Sequence, residues 1–142
     1  MGEPAPRNHV TFEANLPDDS EEDDRGNVTV PAGRSIASVL VRALESQGLD
    51  CSAPEQHSHY GWSFEIRING SRVWCVLQYA EPWLLMVRTH SSLTEPERTA
   101  LRSIHDALKG EALFSEVLWL TEKEYDAPGD AADAKRGHPS PD

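Results

Sequence analysis

Long apolar runs are missing from this chain of 142 residues, and no stretch approaches the roughly 18 residues of a membrane-spanning helix. Met1 to His9 lacks the basic-then-apolar pattern of a signal peptide. Cysteine is scarce: Cys51 and Cys75 are the whole supply, and without an export signal they are expected as free thiols in a reducing cytoplasm. Positive charge is also short, with 13 Lys and Arg against 24 Asp and Glu, a net charge of −11. Such a chain is repelled by nucleic-acid phosphates and by anionic lipid, which argues against both as partners. No glycine-rich loop is present to cradle a phosphate: Gly33 and Gly61 stand alone, and Gly70 belongs to a turn. No cofactor is expected.

The acidity that is there sits mostly at the ends. Residues 1–30 hold eight acids against two arginines, residues 31–120 ten acids against eight bases, and residues 121–142 six against three. Residues 1–27 contain Asp18-Asp19-Ser20-Glu21-Glu22-Asp23-Asp24 with Pro4, Pro6 and Pro17 nearby. A segment of this kind buries too little apolar surface to offset its ordering entropy, so residues 1–27 are expected to be a disordered acidic arm. Val10-Thr11-Phe12 is its one patch able to dock. Residues 127–142, rich in Ala, Asp, Pro and Gly, are expected as a disordered tail. The 28–126 stretch between them is long enough for one domain.

Within that domain, Trp62, Phe64, Ile66 and Ile68 alternate with Ser63, Glu65 and Arg67, the period-2 pattern of a strand with one buried face. Asn69-Gly70 then predicts a type I′ hairpin turn, since both residues tolerate positive φ. A two-residue turn there pairs Ile66 with Val73, Phe64 with Cys75 and Trp62 with Leu77. The other face carries Glu65, Arg67, Arg72, Trp74, Val76 and Gln78. Arg67 stands opposite Arg72, and the two would repel unless Glu65 on the diagonal offsets them. A turn near Glu81-Pro82 leads to a third strand at about Trp83 to Thr89. A two-residue loop puts Leu84 and Met86 with the core and Trp83, Leu85 and Val87 on the outer face. A slip of one residue exchanges the two sets.

Two helices flank this meander. Ile36, Val39, Leu40, Ala43 and Leu44 form one stripe over about Arg34 to Gln47, which Gly48 ends and Thr29 or Ser35 is placed to cap. Thr94-Glu95-Pro96-Glu97 is a capping box, followed by the stripe Ala100, Leu101, Ile104, Ala107 and Leu108, with Lys109 and Gly110 at its end. A fourth strand covers about Glu116 to Leu120. Thr121-Glu122-Lys123-Glu124 is placed to cap a last turn holding Tyr125. The expected fold class is α+β: two layers in the order α-β-β-β-α-β, an antiparallel meander, both helices on one face.

The residues that could carry chemistry are few. Cys51, His57, His59 and Cys75 match no common zinc-finger spacing, and His57 and His59 point to opposite sides if extended. His105 and Asp106 are helical neighbours that do not face each other. His90 lies beside Ser91 and Ser92, yet no third group or oxyanion site can be assigned to them. Glu65 and Glu81 flank the sheet, where solubility and edge protection explain them. No catalytic or metal-binding residue is expected.

Four tryptophans remain to be placed. Trp62 and Trp119 suit the core, whereas Trp74 and Trp83 are hard to bury under two helices. Trp and Arg are over-represented at binding hot spots. The expected partner-binding surface is therefore the outer sheet face, with Trp74, Val76, Arg67, Arg72, Trp83 and Leu85. The alternative is that the N-terminal segment or the last turn with Tyr125 folds over it. The order of elements, the size and the acidity resemble the small acidic chaperones of type III secretion, which dimerise to hold an unfolded segment of a secreted effector. The runs Gly61-Trp62-Ser63-Phe64-Glu65-Ile66 and Glu81-Pro82-Trp83-Leu84-Leu85 also resemble those of small, acidic, uncharacterised bacterial proteins. The expected function is a non-enzymatic cytoplasmic protein-binding domain using the outer sheet face: chaperone-like, as the first resemblance implies, or toxin-neutralising, an acidic chain blocking a basic toxin by charge complementarity. Its partner would be a basic or partly unfolded protein, or a second copy in a homodimer. The competing expectation is a small enzyme or metal-binding protein using Cys51, His57, His59 or His90.

Overall fold

A computed structural model describes residues 5–57, 61–126 and 137–142. In chain order its elements are β1 (His9–Ala14), β2 (Glu21–Glu22), β3 (Val28–Val30), α1 (Arg34–Ser46), β4 (Asp50–Cys51), β5 (Glu55–His57), β6 (Gly61–Ile68), β7 (Ser71–Gln78), β8 (Trp83–Val87), α2 (Glu95–Gly110), β9 (Phe114–Leu120) and α3 (Glu122–Tyr125). The fold is α+β, as expected, and every strand pair in it is antiparallel. No helix among the described residues is long and apolar enough to cross a membrane.

The hairpin forms as its sequence dictates. Asn69 and Gly70 take φ values of 50° and 80°, the positive pair that a type I′ turn needs. The turn sets the register, so Ile66 pairs with Val73, Phe64 with Cys75 and Trp62 with Leu77. β8 continues the meander on the far side of β7. Its register is the exchanged alternative: Leu85 pairs with Leu77 and Val87 with Cys75. Leu85 and Val87 therefore face the helices, while Leu84 and Met86 lie on the outer face.

The main correction concerns the N-terminus. Residues 5–27, the described part of that segment, are not a disordered arm outside the domain, because β1 is an inner strand of the sheet, paired between β8 and β9. The docking patch supplies the reason: Val10 and Phe12 are fully buried in the core, and Thr11 between them faces the other way. Burying one such side chain stabilises by about 1.5–3 kcal/mol, and the ladders on both sides satisfy the backbone. β8 and β9 consequently run in the same direction with one strand between them, and α2 spans the gap. β9 contributes one extra residue opposite Thr11–Glu13, where Glu116 adopts φ 54°, a β-bulge.

The acidic stretch that follows is also ordered by a specific contact. Asp19 accepts hydrogen bonds from Gly33 N at 2.9 Å and from Ser35 N and Oγ at 2.8 Å each. It thus caps α1 from 14 residues upstream, in place of Thr29 or Ser35. β2 and β3 pair as a small separate hairpin. At the other end, residues 127–136 of the expected tail lie outside the described residues. Residues 137–142 do not behave as a free tail: His138 bridges to Trp119 on β9, and Asp142 meets Arg102 at 2.7 Å.

The core lies between the sheet and the two helices. Ile36, Ala37, Leu40 and Leu44 of α1 and Ala100, Leu101, Ile104 and Leu108 of α2 pack on Phe64, Ile66, Cys75, Leu77 and Leu85. α2 begins with the expected box: Thr94 Oγ1 accepts from Glu97 N, and Glu97 Oε1 accepts from Thr94 N. α3 repeats the device with Thr121 and Glu124.

Candidate functional site

Strand alternation brings Arg67, Arg72, Trp74 and Val76 together on the sheet face away from the helices. Trp83 and Leu85 are not with them. Leu85 is completely buried in the core, and Trp83 pairs with Phe12 and lies against Gly33. The five residues from Tyr79 to Trp83 separate the pair Gln78–Leu84, so the two-residue loop that would have placed Trp83 and Leu85 outside is not made.

The outer face is also less open than its composition suggests. Val76 and Leu84 are buried, and Met86 is half-buried. His9 and Thr11 complete the face on β1, with the ring of Tyr125 on α3 5.8 Å from that of His9. Among the described residues only Val28 and Tyr79 are large apolar side chains classed as exposed.

What remains accessible is one end of the face. Trp74 is half-buried there, with the Arg88 guanidinium 4.9 Å from its ring centre and the His57 ring edge-on at 5.1 Å. β6 and β8 flank β7 and so deliver Glu65 and Arg88 to either side of Trp74. Arg67 lies opposite Arg72 and is drawn to Asp50 at 3.6 Å and Glu65 at 4.0 Å. Glu65 plays the expected compensating part. Arg72 is exposed and forms no ion pair among the described residues. Arg88 and His57 escape a reading of the hairpin alone, because their places depend on the β8 register and on β5.

The thiols and imidazoles expected as alternatives do not converge. Cys51 pairs with Ile66 and packs toward the core, whereas His57 stands on the opposite face against Trp74. His59 lies outside the described residues. Burial, then the charges of Glu45 and Asp50, pushes the Cys51 thiol up to about 11. Complete burial raises Cys75 further. Neither thiol therefore supplies a ready thiolate. Among the described residues no group of three or more His, Cys, Asp and Glu is placed to hold a metal.

His90 has a partner the sequence did not disclose, Glu97 Oε2 at 2.7 Å from Nδ1. Burial pushes the Glu97 carboxyl up, but hydrogen bonds from Thr94 and His90 outweigh it and hold the group below the usual carboxylate range. That carboxylate completes the α2 cap, and its use there explains the pair. His105 is likewise accounted for, since Trp119 Nε1–H donates to its Nδ1 at 3.1 Å. Comparison with known proteins adds no relative to this reading: no family model, curated protein or solved structure matches the chain.

Proposed function

We propose that this chain is a non-enzymatic protein-binding domain whose contact surface is the Arg67–Arg72–Trp74–Arg88 end of the outer sheet face. The observation that carries the reading is the half-buried Trp74 ring beneath Arg88, beside an Arg72 that forms no ion pair among the described residues. A guanidinium stacked on an indole is held in place before a partner arrives, and such residues dominate binding energy when desolvated. The sheet edges support a facial rather than an edge-on mode. Short β4 and β5 cover β6, and His138 meets β9.

Of the two kinds of binding protein considered, the toxin-neutralising kind is favoured over the chaperone-like kind. A holder of unfolded apolar segments needs a contiguous apolar patch, and the few exposed apolar side chains described here do not make one. The net charge of −11 steers the expected basic partner to the molecule, and Arg72 and Arg88 are placed to pair with individual carboxylates on its folded surface.

The test is affinity capture from the native host with the full chain as bait, read by quantitative mass spectrometry. A partner retained by the wild type and lost at least about tenfold by Arg72→Glu and by Trp74→Ser, a loss typical of hot-spot truncation, supports the proposal. Equal capture by wild type and both folded variants refutes it.

A further inference from the structure

Beyond β7, at the opposite end of the strand from Arg72, a cavity of about 490 Å³ opens among Phe12, Glu13, Ala14, Tyr79, Glu81 and Trp83. It differs from the Arg–Trp end in both shape and charge. Tyr79 is 57 % exposed, the most exposed large apolar side chain described. Its ring meets that of Trp83 edge to face, with centroids 5.3 Å apart and planes at 87°. Trp83 is held from behind, where a side chain on Gly33 would approach its ring to 3.1 Å. Glu13 and Glu81 are exposed at the cavity, and among the described residues no basic side chain lines it.

We infer that this cavity binds a cationic side chain, the guanidinium or ammonium of a basic segment of a partner protein, between the Tyr79–Trp83 pair and the carboxylates of Glu13 and Glu81. Each part of the site favours a cation for its own reason. The ring faces carry negative quadrupole potential, and Trp and Tyr are the stronger cation–π partners. The two carboxylates add direct charge attraction, with no competing cation among the described residues of the lining. An uncharged apolar ligand would gain only the ring contacts. An acidic ligand would be repelled by both glutamates and by the net charge of −11. The same net charge steers basic segments toward the molecule. This inference uses different residues from the Arg–Trp surface and stands or falls independently of it.

The experiment is a titration of the full chain, labelled with ¹⁵N, with a hexa-arginine peptide at low salt, followed by NMR. A hexa-glutamate peptide serves as the control. The expected result is saturable shifts of the Trp83 indole N–H and the Tyr79 and Glu81 amides with the arginine peptide alone. Tyr79→Ala, an exposed position whose loss leaves the core intact, should weaken binding by about three- to tenfold, the range of an exposed to partly desolvated cation–π contact. Glu81→Gln should weaken it less. A variant carrying Glu21→Gln and Glu22→Gln should bind as the wild type does. Shifts confined to the β2–β3 hairpin, affinity unchanged in Tyr79→Ala, or no binding at all would each overturn the inference.

Discussion

Gly33 shows how much a single position carries. It sits at the start of α1 with φ 113°, a conformation that side chains rarely adopt, and an added Cβ would stand 3.1 Å from the Trp83 ring and 3.3 Å from Leu77. Gly33→Ala therefore meets both backbone strain and overpacking, and should cost about 1–3 kcal/mol in urea denaturation. Asp19 acts on the same turn. Burial pushes its carboxyl up, but the hydrogen bonds from Gly33 and Ser35 prevail and hold it below its ordinary 3.8. A depressed carboxylate stabilises the fold above the unfolded value, and that contribution is lost as pH falls through the folded value. Asp19→Ala should thus lower stability at pH 7 by about 1 kcal/mol, as for a lost cap. The difference between variant and wild type should shrink in denaturation curves taken below 3.8.

His9 gives a pH dependence at milder acidity. Burial lowers its pKa from 6.5, against the opposing pull of Glu122 and Asp126. On acidification the unfolded chain takes up the proton first, so stability should begin to fall below about pH 6.5, well before the carboxylates titrate. His9→Gln should remove that first loss while leaving the later acid transition, as followed by thermal melts across the range.

Among the elements, β1 has the largest consequence. It separates β8 from β9 and fills the core with Val10 and Phe12. Deleting residues 1–16 would open an edge of β8, leave β9 without its strand partner and remove a buried Phe. Phe→Ala alone costs about 3–5 kcal/mol, against a total stability of about 5–15 kcal/mol for an ordinary domain. The truncated chain is expected to lose its near-ultraviolet tryptophan signal and its cooperative melt. A fragment starting at residue 28 would fail for the same reason. Retention of a sharp transition would show that β1 is dispensable.

At the scale of the whole molecule, charge and apolar surface are arranged separately. The net charge of −11 lies mainly in the terminal segments, while the guanidiniums of Arg67, Arg72 and Arg88 gather at one end of the sheet. Partner capture through that end should weaken as salt is raised about tenfold, since exposed charges are then screened over a few ångströms. A complex indifferent to salt would instead point to an apolar contact of the chaperone-like kind. Trp74→Asp should leave the melt cooperative, because the ring is half exposed and the new carboxylate would face Arg88.

Interactions between neighbours along the chain were legible in advance. Asn69-Gly70 set the hairpin register, and the capping box at Thr94–Glu97 set the start of α2. The two apolar stripes placed both helices on one face. The four Trp divided as their strand parity required, except Trp83, whose parity hung on the length of the Tyr79–Pro82 turn. Contacts between distant segments emerged with the assembled sheet. Val10-Thr11-Phe12 is too short a pattern to identify an inner strand until β8 and β9 are both available to pair with it. Asp19 is one acid in a run of acids until Gly33 and Ser35 present their N–H groups to it. The surface followed suit: a one-residue change of register in β8 moved Leu85 into the core and brought Arg88 onto Trp74, because side chains alternate faces with a period of two.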